Sequence, residues 1–124
     1  MKMNRITAML PVRNLSASID FYSKLGFNVE ARNDDWGWAM LGFGDCRLMV
    51  DQSIHVHPGI PRTTVLYFYL DDISKYHQQL RKQGLVIPDL DLTFYGMKEF
   101  RLHDPDGNPL WIGEDPSTGT PPGH

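Results

Sequence analysis

The 124-residue chain has a single cysteine, Cys46, so neither a disulfide framework nor a cysteine-rich zinc site can hold it together. It lacks long apolar runs. The longest are a few residues, far short of the ~20 needed to span a bilayer as a helix. It also lacks a positive surplus. Twelve Lys and Arg stand against 15 Asp and Glu, a net charge of −3 with a pI near 5.9, which argues against nucleic-acid binding driven by a concentrated positive field. There is no G-x-S-x-G nucleophile elbow and no G-x-x-x-x-G-K-[ST] phosphate loop; Gly42-Phe43-Gly44 is too short to serve as one. Asn4, Arg5 and Thr7 interrupt the first twelve residues, so these do not read as the apolar core of a secretory leader, and a cytoplasmic protein is expected.

What is present is ordinary for a globular chain. Hydrophobic residues make up 41% and charged residues 22%, which argues against disorder. One domain is expected over residues 1–114, enough to bury roughly two thirds of the surface of its unfolded chain. The tail from Asp115 to His124 reads DPSTGTPPGH; it has nothing to bury and is expected to be disordered.

Periodicity supplies the elements. Residues 5–12 read as a strand. Asn14 can cap a helix whose apolar positions Leu15, Ile19, Tyr22 and Leu25 recur at helical spacing, and Gly26 can close it in the left-handed conformation. Strands are expected at 27–32, 36–42 and 47–51, with an Asn-Asp-Asp turn between the first two. A connector with Pro58, Gly59 and Pro61 follows. The order then repeats: a strand at 63–70 rich in β-branched and aromatic residues, a helix capped by Asp72 with Ile73, Tyr76 and Leu80 on one face and Gly84 at its end, and strands at 85–87, 98–102 and 109–113. Asp104-Pro105-Asp106-Gly107-Asn108 is a strong turn, since proline fixes φ and glycine supplies a positive one.

A shift of 58 places Val12-Arg13-Asn14-Leu15-Ser16 on Leu70-Asp71-Asp72-Ile73-Ser74 and Gly26 on Gly84. A shift of 62 places Leu48-Met49-Val50 on Leu110-Trp111-Ile112. The chain therefore reads as an internal repeat of two βαβββ modules, about residues 5–52 and 63–114, in the α+β class.

The segments PVRNLSASIDFYSKLGF near the start and LHDPDGNPLWI near the end resemble the vicinal oxygen chelate superfamily, the group of glyoxalase I, extradiol dioxygenases, and fosfomycin- and bleomycin-resistance proteins. The resemblance covers about residues 5–114. It implies two βαβββ modules forming a curved, mixed but mostly antiparallel sheet around a cleft, usually within a homodimer. Metal-using members place a His, Gln or Glu ligand on the first and last strand of each module. Carried onto this chain, those positions are Thr7, Met49, Val65 and Trp111. Divalent zinc, iron and manganese want imidazole nitrogen or carboxylate oxygen, and a thioether suits only soft metals, so no metal and no other cofactor is expected. YFYLDDISKYH and FYGMKEFRLHDPDGN are similar to segments of the bleomycin-resistance branch, which lacks the metal and binds its drug stoichiometrically.

Strand alternation sets what faces such a cleft. With Met49 inward, Arg47 and Asp51 follow; with Val65 inward, Tyr67 and Tyr69 follow; Trp111 joins from the last strand. The resemblance adds Asp35, Trp36, Trp38, Phe94 and Tyr95 as bordering the same space or its dimeric counterpart. Trp36, Trp38, Met49, Tyr67, Tyr69, Tyr95 and Trp111 are the expected ligand walls, with Asp35 and Asp51 meeting positive charge. Flat aromatic ligands stack on such walls, and cationic ones gain further. Leu66 and Phe68 have the opposite parity and are expected to pack under the helices.

Plainer roles compete with these. Aromatic residues on strands are more often core than cage, Trp36 can simply stabilise a turn, and loop aspartates such as Asp34, Asp35, Asp89 and Asp91 usually cap turns. His55 and His57 alternate as ligands would, but they lie in the connector without a third donor nearby. His77 is expected on the helix surface or at a dimer contact, and His103 is expected to order the turn that follows it. Cys46 has no evident base partner and reads as a filler, so no catalytic residue is expected. The reading is a binding protein that sequesters a planar or cationic small molecule of the bleomycin type, with a homodimer as its expected assembly. The rival readings are a glyoxalase-like lyase or dioxygenase-related enzyme with displaced ligands, and a module that binds some other metabolite.

Overall fold

The computed structural model describes residues 1–116. The fold is α+β, with β1 (Ala8–Pro11), α1 (Leu15–Leu25), β2 (Asn28–Asn33), β3 (Trp38–Phe43), β4 (Cys46–Asp51), β5 (Leu66–Leu70), α2 (Ile73–Lys82), β6 (Asp91–Leu92), β7 (Lys98–His103) and β8 (Pro109–Glu114). It divides into two compact units, Met1–Pro61 and a second that begins at Arg62, and each runs βαβββ.

In the first unit the sheet order is β1-β4-β3-β2, with β1 parallel to β4 and the other neighbours antiparallel. Helix α1 begins where expected. The Asn14 side chain accepts the Ala17 N–H at 2.9 Å, and the Gln52 carboxamide accepts the Leu15 N–H at 2.8 Å, so two orphan donors of the first turn are satisfied. Gly26 ends it at φ 112°, donating its N–H to Ser23. The helix buries Leu15, Ile19, Tyr22 and Leu25 and lies against β3 and β4, whose buried residues are Ala39, Leu41, Leu48 and Val50. Each fully buried aliphatic side chain stabilises by about 1.5–3 kcal/mol.

The second unit repeats this design as β5-β8-β7-β6, with β5 parallel to β8. Asp72 caps α2 through the Lys75 N–H at 3.1 Å. Ile73 and Leu80 of α2 are buried, as are Phe100, Leu110 and Ile112 of the sheet. Leu66 pairs with Leu110 and Phe68 with Ile112, so both lie on this helix-covered face, as their parity required. Met9 pairs with Met49 and Tyr67 with Trp111, which reproduces the shifts of 58 and 62 as hydrogen-bonding register.

Three expectations are corrected. Residues 85–87 are not a strand. Pro88 follows without an N–H, and the carbonyls of Ile87 and Pro88 turn instead to the side chains of Arg81 (2.9 Å) and His77 (2.7 Å). The short strand forms later, at Asp91–Leu92. His77 is not a surface residue; it is buried, with its ring edge-on to Phe100 at 5.0 Å. Trp36 lies before β3, in the turn between β2 and β3. At the C-terminal end the Asp115 N–H reaches the Leu70 carbonyl at 2.7 Å, so the chain is held past residue 114; positions 117–124 of the expected tail lie outside the described residues.

The turn between β7 and β8 is fastened by Asp104. Its carboxylate accepts the N–H groups of Asp106 and Asn108, both at 2.9 Å, and the Asn108 carboxamide at 2.8 Å. Asp104→Ala strands these buried donors and is expected to cost at least about 1.5–3 kcal/mol, read as a lowered urea midpoint with an unchanged slope.

Candidate functional site

Each sheet has one face under its helix and one facing away from it. In the second unit the latter face carries Tyr67 and Tyr69 from β5, Trp111 and Gly113 from β8, and Glu99 and Arg101 from β7. Arg101 pairs with Trp111 and Glu99 with Gly113 in the register.

Glu99 organises this face. Its side chain is almost wholly buried, at 1% residue exposure. One carboxylate oxygen accepts the Tyr67 hydroxyl at 2.9 Å and also the Tyr95 hydroxyl; the other accepts Arg101 Nε at 2.7 Å. A turn positions Tyr95: Thr93 accepts the Gly96 N–H at 3.0 Å through its carbonyl and the Met97 N–H at 3.0 Å through its hydroxyl, and Gly96 has φ 83°. Arg101 Nη2 also donates to the Tyr95 oxygen at 3.2 Å. Gly113 is required here, because a Cβ at that position would collide with the Tyr67 hydroxyl.

The charges follow from this geometry. Burial works to raise the Glu99 carboxyl, but the donors Tyr95, Arg101 and Tyr67 together outweigh it and hold the group below its ordinary value of 4.5. Burial, and then the bond to Glu99, push the Tyr67 and Tyr95 phenols above 10. The pairing with Glu99 raises Arg101 further. The result is a carboxylate, a guanidinium and two neutral phenols with fixed positions.

The Arg101 guanidinium carbon sits over Trp111, 3.5 Å from the ring centroid. Tyr67 meets Trp111 edge-on at 6.4 Å and Tyr69 at 4.8 Å with a tilt of 33°. Tyr69 is 56% exposed, so the array opens outward. Beside it runs a groove of about 520 Å³ bounded by Pro88, Asp89, Phe94, Tyr95, Glu99 and Arg101 among others. His77 and Arg81 hold its 87–89 wall, and Arg81 also pairs with Asp89 at 2.7 Å.

In the first unit the corresponding face carries Trp38 opposite Asp51, and Met40 and Met9 on either side of Met49. Arg47, opposite Gly42, is ion-paired with Glu30. Glu30 sits at the bulge in β2 and lies over Gly42, where a Cβ would meet its carboxylate. Asp51 accepts the Ser53 N–H at 2.7 Å and its hydroxyl at 2.6 Å.

The nine expected site residues thus fall into three places. Tyr67, Tyr69, Tyr95 and Trp111 come together in the second unit, and Trp38, Met49 and Asp51 share the uncovered face of the first. Asp35 and Trp36 sit in the turn between β2 and β3, where Asn33 accepts the Trp36 N–H at 3.1 Å and Trp36 is 68% exposed. Thr7 and Val65 lie outside the strands; the register puts Met9 and Tyr67 beside Met49 and Trp111 instead. Neither set offers the nitrogen or carboxylate donors a divalent ion needs. Among the described residues no three His, Cys, Asp or Glu side chains converge as a metal site would require.

Sequence reasoning missed Glu99 and Arg101 as site residues. A signal existed. Polar and apolar residues alternate along Glu99-Phe100-Arg101-Leu102, and a hairpin centred on the Asp104–Asn108 turn brings Arg101 opposite Trp111.

A family model described as the Glyoxalase/Bleomycin resistance protein/Dioxygenase superfamily matches residues 2–112. A bleomycin resistance protein from Klebsiella pneumoniae is 29% identical, over 86% of this chain and 89% of that one. Among solved structures, a bleomycin resistance determinant encoded on the transposon Tn5 is 27% identical with a TM-score of 0.75, covering 91% of this chain and 98% of that one. A bleomycin-binding protein complexed with bleomycin is 26% identical with a TM-score of 0.76, covering 92% and 100%.

Because the folded Glu99 carboxyl is held below 4.5, the stability it supplies is complete above that pH and is lost as pH falls through the depressed value. Urea unfolding of the wild type and Glu99→Gln across pH 3–7 is expected to show a gap at neutrality that narrows in acid. A gap independent of pH would contradict the ionised state. Gly113→Ala is expected to lower the ionisation pH of Tyr67 by pushing its hydroxyl off Glu99, read by ultraviolet absorbance in alkali.

Proposed function

The chain belongs to the Glyoxalase/Bleomycin resistance protein/Dioxygenase superfamily, and we propose that within it this protein holds a drug of the bleomycin type rather than converting it. The observation that carries the reading is the uncovered array of Tyr67, Tyr69, Trp111 and Arg101 locked by the buried Glu99. Such an array is held together by hydrogen bonds and ring contacts, and its Tyr69 and Arg101 are exposed. It offers ring faces and one guanidinium plane for stacking. All the polar atoms of Glu99 are engaged in holding its neighbours, so this carboxylate serves as a scaffold and not as a base.

The relatives support the same reading: one is a bleomycin resistance protein and another is complexed with bleomycin. The donor chemistry at the family's ligand positions supports binding without a divalent metal. In this reading the drug is sequestered in the cytoplasm by a homodimer. Its planar part stacks on the aromatic residues, with Trp36, Trp38, Met49 and Tyr95 completing the walls, and its positive part is met by Asp35 and Asp51. No bond of the drug changes.

Titration of metal-free bleomycin against intrinsic tryptophan fluorescence is expected to show saturable quenching at micromolar drug; a flat titration would overturn the proposal. Trp111→Ala is expected to weaken binding by about 1–3 kcal/mol, measured calorimetrically in a variant with native circular dichroism. Asp51→Asn is expected to weaken the cationic drug more than a neutral analogue, and the difference should shrink as salt screens it.

A further inference from the structure

The uncovered face of the first sheet differs from its repeat in one respect. Where the second unit has Tyr67, Trp111 and Arg101 on three neighbouring strands, the first has Met9, Met49 and Met40. The three methionines lie side by side on β1, β4 and β3, in direct register and on the face turned away from α1. Packing under the helix does not account for them: Met9 is 40% exposed, and Met40 and Met49 are only partly buried. The fold does not demand them either, since the matching positions of the other unit hold two aromatic rings and an arginine.

Neighbouring strands lie ~4.8 Å apart, so Met9 and Met40 flank Met49 at one strand spacing each. Methionine has three rotatable bonds and a polarisable sulfur, and thioethers from this row can be brought to one point above Met49. Two further groups on the same face favour a cation there. Trp38 precedes Met40 by two residues and presents a ring that attracts positive charge, and Asp51 follows Met49 by two residues and carries a carboxylate.

We propose that Met9, Met40 and Met49 form a binding site for the soft monovalent cation Cu(I), flanked by Trp38 and Asp51. Thioether ligands select Cu(I) over the harder divalent ions. The site needs no imidazole or carboxylate ligand; it takes no residue of the Tyr67, Tyr69, Trp111 and Arg101 array, and it shares Trp38, Met49 and Asp51 with the walls proposed for the drug. Cys46 takes no part. Its place on β4 has the opposite parity to Met49, and it is a free, exposed thiol that would bind copper by itself and obscure the site.

The test uses the full chain carrying Cys46→Ser, without drug. Anaerobic competition for Cu(I) against a chromophoric chelator is expected to give one equivalent bound. Met9→Leu, Met40→Leu and Met49→Leu conserve volume, and each is expected to weaken it at least about tenfold, the lower end of what perturbing even the partners of metal ligands costs. In parallel, Ag(I) added to protein labelled at the methionine methyls is expected to shift three of the six methionine signals, those of Met9, Met40 and Met49, together with the Trp38 indole. The proposal is overturned if no stoichiometric Cu(I) is retained, if the three leucine variants bind as the parent does, or if binding is lost instead on Met3→Leu or on His55→Ala. Because neither probe is a drug, failure here leaves the bleomycin titration to be judged on its own.

Discussion

A single buried carboxylate fixes the second unit's exposed chemistry. Glu99 lies on the sheet face that no helix covers, yet it is almost entirely hidden from solvent, because the groups it holds are the ones that cover it. A buried charge without partners would be costly. Here two phenols and a guanidinium supply hydrogen bonds to both oxygens, and the charged state becomes the favoured one. In turn Arg101 is held over Trp111, and Tyr67 is held beside the same ring. The side chains exposed on this face are thus positioned by a group buried among them.

The duplication shows how little of this the fold itself requires. Both units use the same strand order and the same parallel pairing of first and last strands. The equivalent register positions carry thioethers in one unit and rings with a guanidinium in the other. Trp38 stands opposite Asp51 in the place where Glu99 stands opposite Gly113. Hydrophobic positions under the helices are similar in kind in both units, because both must bury a helix stripe. The uncovered faces are released from that constraint and have diverged.

This difference explains what could be read from the residues alone. The caps Asn14 and Asp72, the closing Gly26, the Asp104–Asn108 turn and the shifts of 58 and 62 are local or periodic signals, and all reappear in the structure. Tyr67, Tyr69 and Trp111 follow from alternation once the repeat is seen. The partners of Glu99 do not, since they join residues from β5, β7 and the 93–96 turn, and such a convergence is decided only when strands pair. The strand expected at 85–87 failed for a related reason: Arg81 and His77 on α2 take the carbonyls that a ladder would have used. Trp36 belonged to the turn because Asn33 and Gly37 shape it there.

The parallel pairing of outer strands has a consequence for how the chain is made. β1 bonds only to β4, and β4 ends at Asp51, so every backbone partner in the first sheet has emerged before Arg62 is added. The second sheet is arranged in the same way, with β5 bonding to β8, and β8 is the final strand of the described chain. During synthesis β1 waits for its mate across the 40 residues from Ala8 to Leu48, and β5 across the 44 from Leu66 to Leu110. Each nascent unit therefore carries a waiting edge that invites misassociation, and that of the second, Leu66–Leu70, is the one rich in tyrosine and phenylalanine.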